Sequence, residues 1–259
     1  MIKILAIGNS FSEDATRYLH EIADAGGIET KVVNLYIGGC SLKRHYENIQ
    51  NDAAAYEYQL NGVPTGRPVS IRRALFEDEW DIVTMQQVSH ESGLIDSYFP
   101  WLAELSVYVR KLKPKAKQIF HRTWAYEIDS THSGFANYGC DRDKMANAIE
   151  AATAVAAKRI GSKRGATHNE VPIIPCGDAI RRLRKTPEFD YPNGGLSLCR
   201  DGFHLDYVYG RYAAAAVWYE FLLGGDITKN SFAPDGANSD KITLIQKIVH
   251  EVVQEVKNR

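Results

Sequence analysis

Two short segments carry residue types that could perform acyl chemistry. Ser10 follows Gly8-Asn9 at the end of the apolar run Ile4-Leu-Ala-Ile7, and far downstream Asp201-Gly-Phe-His204 sets a carboxylate and an imidazole three positions apart. A serine hydroxyl is a weak nucleophile at its free pKa and needs a base within hydrogen-bond reach. His204 is the candidate base. Asp201, which shares a side of a turn with it, is the candidate group to hold its tautomer and stabilise the imidazolium. A helix opening just beyond Ser10 would add free N–H groups and a dipole that favours negative charge on a reacting oxygen. Each half has a plainer reading: Asn9, Ser10 and Ser12 as helix caps, and Asp201 as the cap of a helix near Tyr207 with His204 packed against it. Occurrence of both halves in one chain moves the reading towards nucleophilic catalysis.

Other groups gather around this pair. Gly38-Gly39 follows a predicted strand, where a glycine lets the backbone approach an acyl group and aim an N–H at an oxyanion; a simple turn is the alternative. Gln86 and Gln87 close another strand and are candidate side-chain oxyanion donors, Gln86 ahead of Gln87, unless a buried amide serves only to tie loops together. Trp124 and Tyr126, at a further strand end, are candidate pocket walls; His90 reads as a surface loop residue. Cys40, next to the glycines, reads as a buried thiol. The eight histidines show no H-E-x-x-H or comparable spacing, and the four cysteines no C-x-x-C, so no metal ligands are assigned. Absence of G-x-G-x-x-G and of a P-loop lysine disfavours nucleotide cofactors, and no cofactor is implied.

These residues need elements to position them. Residues 2–8 form a continuously apolar stretch, as in a strand covered on both faces. Ser12-Glu13-Asp14 reads as the start of a helix that Gly26-Gly27 stops. Strands are predicted at 29–37, 80–86, 118–126 and 171–175, and helices at 100–113, 141–160, 178–183, 207–223 and 240–256. Between 43 and 78 the pattern loosens, and Asn61-Gly62 marks a hairpin inserted at about 52–75. Strands alternating with helices predict an α/β chain, a three-layer α/β/α sandwich around a mostly parallel five-stranded sheet, as one domain over 1–259. Ligands collect beyond the carboxyl ends of such strands, where Ser10, Gly39, Gln86, Gln87, Trp124 and Tyr126 all fall.

Composition narrows the partners. The chain has 259 residues, 44% hydrophobic and 24% charged, with a formal net charge of −1. No charged block suggests nucleic acid or a membrane surface, and no apolar run approaches the ~20 residues of a spanning helix. The chain reads as soluble and cytoplasmic, although a mature exported form would look the same. Its expected partner is a small-molecule or glycan ester.

The blocks Gly8-Asn9-Ser10-Phe11-Ser12, Gly39 and Asp201-x-x-His204, in this order, resemble the SGNH (GDSL-like) hydrolase superfamily, and in particular a largely bacterial subgroup with a Gly-Asn-Ser-Phe-Ser first block. The resemblance implies a flavodoxin-like fold that cleaves esters, often acyl groups on carbohydrates or lipids. It implies Ser10 as nucleophile, His204 as base, Asp201 as its orienter, and the N–H groups of Ser10 and Gly39 as oxyanion donors. Asn9 stands where the superfamily commonly has Asp, and Gln86-Gln87-Val88-Ser89 replaces a Gly-x-Asn-Asp block, resembling glutamine variants of some carbohydrate acetylesterases. The expected activity is hydrolysis of carbohydrate O-acyl esters. A non-catalytic ligand-binding module and an acyltransferase are the alternatives.

Overall fold

The computed structural model describes residues 1–162 and 171–258. In chain order the main elements are β1 (Ile2–Gly8), α1 (Ser10–Thr16), α2 (Leu19–Ala25), β2 (Thr30–Tyr36), α3 (Leu42–Gln50), β3 (Tyr56–Leu60), β4 (Val63–Val69), α4 (Ile71–Phe76) and β5 (Ile82–Met85). Then follow α5 (Trp101–Leu112), β6 (Lys117–His121), α6 (Arg142–Ser162), β7 (Ile173–Ile174), α7 (Cys176–Leu183), α8 (Tyr209–Trp218) and α9 (Ser239–Lys257).

The strands form one sheet in the order β4-β3-β2-β1-β5-β6-β7. β1 pairs in parallel with β2 and β5, and β5-β6-β7 continue in parallel. β3 and β4 join antiparallel at the β2 edge. Among the described residues the sheet is therefore seven-stranded and mixed, which corrects the expected five-stranded, mostly parallel one. The hairpin, expected as a separate insertion, hydrogen-bonds to β2 and lengthens the sheet; Asn61 clamps its turn by accepting from Val32 N–H (2.9 Å) and donating its own N–H to Val32 O (2.7 Å).

Side-chain alternation along β1 feeds two cores. Ile4 and Ala6 face a cluster with α1, α2, α7, α8 and α9, whereas Leu5 and Ile7 face α3, α4 and α5. Helix α6 contributes to both, through Met145 and Ile149 on one side and Ala152 and Ala156 on the other. This burial on both faces explains the uninterrupted apolar run, because a strand covered twice has no solvent side to alternate with.

Two helices, α3 and α4, were not legible as periodic stretches. Each opens on a serine whose hydroxyl caps the third N–H beyond it, Ser41 to Arg44 and Ser70 to Arg73; those caps are the sequence signal that marks them. The strand expected to reach Tyr126 ends at His121, since β7 offers ladder partners only to Phe120 and His121. The helix expected over 207–223 starts at Tyr209 and gives way to a wider π turn over Tyr219–Leu223. Ala213 to Ala216 in α8 are fully buried, and these small side chains allow α1, α7 and α9 to close around it. Ala214→Leu is expected to overpack this contact and destabilise the protein by about 1–3 kcal/mol, read as a lower urea midpoint.

Candidate active site

Parallel pairing brings the ends of β1, β2, β5 and β6 to one edge of the sheet. Asn9, in extended conformation, caps α1 there: its Oδ1 accepts Phe11 N–H at 3.0 Å. The helix thus begins at Ser10, earlier than the Ser12 start read from sequence, and Ser10 occupies its first position. Gly8 permits the close approach, because a Cβ there would lie 2.2 Å from Ser12 Oγ.

Ser10 Oγ lies 2.8 Å from His204 Nε2, and His204 Nδ1 lies 2.7 Å from Asp201 Oδ2. An ionised Asp201 offers only acceptors, so the imidazole proton belongs on Nδ1 and Nε2 is left to accept from the serine hydroxyl. The second Asp201 oxygen accepts the backbone N–H groups of His204 (2.8 Å) and Phe203 (3.2 Å). Partial burial raises the carboxyl's pKa, but the His204 ring and those N–H groups outweigh it and hold Asp201 below the usual aspartate value. Asp201 does not cap the following helix. Asp206 does, accepting from Val208, Tyr209 and Gly210 N–H.

The loop bearing Asp201 and His204 is fixed at both ends. Arg200 N–H donates to His204 O (2.9 Å) and Asp206 N–H to Leu198 O (2.9 Å). Trp124 Nε1 donates to Phe203 O (2.8 Å), and Glu127 N–H to Gly202 O (2.7 Å). Beneath it lies the fully buried Asp14 of α1. Its carboxylate accepts Leu205 N–H at 2.9 Å and pairs with Arg200 (3.0 Å) and with Arg211 of α8 (2.7 Å). From its local sequence Asp14 is only an acid suited to a helix start; the pairing arginines lie nearly two hundred positions away.

A cleft of about 270 Å³ opens over Ser10, lined by Asn9, Gly38, Gly39, Ser89, His90, His132 and Phe203 among others. Gly39 has φ +63°, a left-handed conformation that favours glycine. Its N–H and that of Ser10 have no acceptor among the described residues. Asn9 Nδ2 donates to Cys40 O at 3.0 Å, so the same side chain that caps α1 also holds the Gly39 loop. An aspartate could not make that bond. Burial pushes the Cys40 thiol up to about 12, keeping it protonated.

The other expected site residues take different work. Gln86 is buried, donates to Asn9 Oδ1 (2.7 Å) and accepts from His121 Nδ1 (2.8 Å); burial lowers the His121 pKa to about 3, leaving it neutral. Gln87 accepts from Leu42 N–H (2.9 Å) and donates to Ser97 O and Oγ, pinning α3 to the loop after β5. Neither amide is among the residues lining the cleft, which corrects the expectation that one would face an oxyanion. Trp124 is wholly buried and stacks on Phe11 (4.4 Å), so it supports the cleft without lining it. Tyr126, likewise buried, shares a 2.8 Å hydrogen bond with Ser89 Oγ.

His132 was not foreseen. It arrives on the long loop after β6, where no periodic pattern marks it. Its Nδ1 accepts Gly134 N–H at 3.0 Å, so Nε2 carries the proton. Its ring packs 4.9 Å from Phe203, 5.0 Å from Tyr126 and 5.6 Å from His90. Burial foremost, with the neighbouring His90 and His204 rings, holds its pKa below the usual imidazole value. As for metals, Glu220, Asp226 and His250 bring ligand atoms within 4.8 Å of one another among the described residues, on elements apart from this cleft. Glu220 is already engaged by Gln254 and Ile227 N–H.

The family model for the domain of unknown function DUF4886 matches residues 3–252, and the chain belongs to that family. A DUF4886 family protein from Bacteroides uniformis is 39% identical over 98% of this chain and 95% of its own, with a TM-score of 0.88. A candidate SGNH hydrolase from Slackia heliotrinireducens (21% identity, 85% of this chain and 98% of that one, TM-score 0.55) shares the fold. So does the acetylxylan esterase Axe2 from Geobacillus stearothermophilus (13%, 86% and 93%, TM-score 0.51). These likenesses show a shared three-layer α/β/α fold. No curated protein matches the sequence significantly. No helix among the described residues is long and apolar enough to cross a membrane.

Asp14→Asn removes the buried charge that Arg200 and Arg211 share. A loss of roughly 3 kcal/mol is expected, the lower end for a broken buried pair because both arginines keep some solvent, measured by denaturant unfolding.

Proposed function

We propose that this protein is a serine hydrolase of carboxylic esters, with short O-acyl esters of carbohydrates as its substrate class. The observation that carries the proposal is the unbroken line from Ser10 Oγ through His204 to Asp201, with contacts of 2.8 and 2.7 Å. Ser10 Oγ attacks the acyl carbon while His204 Nε2 takes its proton, and Asp201 stabilises the resulting imidazolium. The oxyanion rests on the N–H groups of Ser10 and Gly39, assisted by the positive end of α1. His204 then protonates the departing alcohol, and a water that it deprotonates releases the acyl group from Ser10. No cofactor takes part.

The cleft supports a small acyl group on a polar alcohol. It is of modest size, Gly38 and Gly39 contribute backbone to its lining, and His90, His132 and Ser89 place polar atoms around it. The fold shared with an acetylxylan esterase agrees with this substrate class.

Ser10→Ala is expected to abolish hydrolysis of 4-nitrophenyl acetate and labelling by a fluorophosphonate probe; labelling at another residue, or retained turnover, overturns the assignment. Acetyl esters should be hydrolysed faster than octanoyl esters. A sugar alcohol added during turnover would give transacylated product only if transfer competes with hydrolysis. Asn9→Asp places a carboxylate oxygen against Cys40 O and releases the Gly39 loop. Because ångström-scale misplacement costs on the order of 10²-fold, kcat should fall by about that factor with KM little changed.

A further inference from the structure

We propose that His132 selects the leaving alcohol, its Nε2–H donating to a hydroxyl oxygen that the alcohol carries next to the ester. The substrate class this names is an acyl ester of a polyol or sugar with a free neighbouring hydroxyl. The proposal rests on the hydrolase reading, since it assigns a role within that reaction.

The place of the proton on His132 follows from one contact. A backbone N–H can only donate, and that of Gly134 lies 3.0 Å from His132 Nδ1. Nδ1 therefore offers a lone pair, and the proton of the ring sits on Nε2. Among the described residues Nε2 has no hydrogen-bond partner, and it is not sealed away from solvent. It is a donor without an acceptor on the wall of the cleft. Phe203, edge-on at 4.9 Å, Tyr126 at 5.0 Å and His90, stacked at 5.6 Å, hold the ring in place. Gly134 makes room for that packing, because a Cβ there would lie 2.3 Å from His90 Cβ.

The reaction decides which half of the ester lies beside this donor. With the oxyanion on the N–H groups of Ser10 and Gly39, the alcohol oxygen must face His204 Nε2, which protonates it as it departs. Phe203 packs 4.2 Å from the His204 ring, and His132 packs against the same Phe203. The alcohol half thus lies next to His132. An alkyl alcohol would cover the N–H and leave it unpaired, whereas a hydroxyl would satisfy it. Discrimination of this kind comes from the unpaired polar group and not from contact area.

The test compares kcat/KM for 2-hydroxyethyl acetate and propyl acetate, which differ only in a hydroxyl against a methyl, after correction for their alkaline hydrolysis rates. Wild type is expected to favour the hydroxylated ester by about tenfold, the value of one neutral hydrogen bond. His132→Phe keeps a ring and removes the N–H, so the ratio should fall to about one. His132→Gln, whose amide N–H can reach the same place, should bring part of it back. Only the ratio is read, so a general loss of activity in either variant cancels. An even ratio in wild type, an unchanged ratio in His132→Phe, or no recovery in His132→Gln would each overturn the proposal. Should one variant not fold, the wild-type ratio and the other variant still decide. Failure of the hydrolase reading looks different: wild type cleaves neither ester and a fluorophosphonate leaves Ser10 unlabelled, and the role of His132 falls with it.

Discussion

The Asp14 carboxylate joins the two halves of the site. Helix α1 presents Ser10 and the C-terminal loop presents His204, and no strand connects them. Asp14 crosses the gap, accepting Leu205 N–H and the guanidinium groups of Arg200 and Arg211 in one buried cluster. An ion pair in such surroundings contributes little net stability compared with apolar packing, because desolvation opposes it. What it contributes is placement. A hydroxyl and an imidazole must meet at 2.8 Å, and a charge cluster with defined directions sets that distance better than non-directional apolar contact.

Asn9 performs the same service on the other side. It caps α1, binds the carbonyl after Gly39 and accepts from Gln86, so three segments are referred to one side chain. The glutamines were expected to serve chemistry directly. A primary amide carries donors and an acceptor that must all be satisfied when buried, and the groups within reach of Gln86 and Gln87 are His121, Asn9, Leu42 N–H and Ser97. Both amides are engaged in holding loops. Positioning thereby falls to side chains, and the free donors that face the cleft are backbone N–H groups.

Legibility of the fold followed burial. The β1 run, the Ala-rich α6 and the amphipathic α9 were readable because each has a consistent relation to a core. The short helices α3 and α4 were not, since six to nine residues give too few turns for a period and only their serine caps announce them. The antiparallel edge was half-legible. Asn61-Gly62 pointed to the hairpin, but nothing local said that β3 would pair with β2, because a strand's neighbour is chosen by the sheet and not by its own residues.

The amino-acid sequence by itself determined which groups could act: a hydroxyl at a strand–helix junction, a carboxylate and imidazole three positions apart, and a glycine after the second strand. These are properties of residue type and local spacing, so they survive without coordinates. Only the tertiary structure decided that Ser10 meets His204, that both glutamine amides turn away from the cleft, and that His132 enters it. Contacts between residues far apart in the chain depend on how parallel strands bring their carboxyl ends to one edge, and that arrangement is set by packing across the whole sheet.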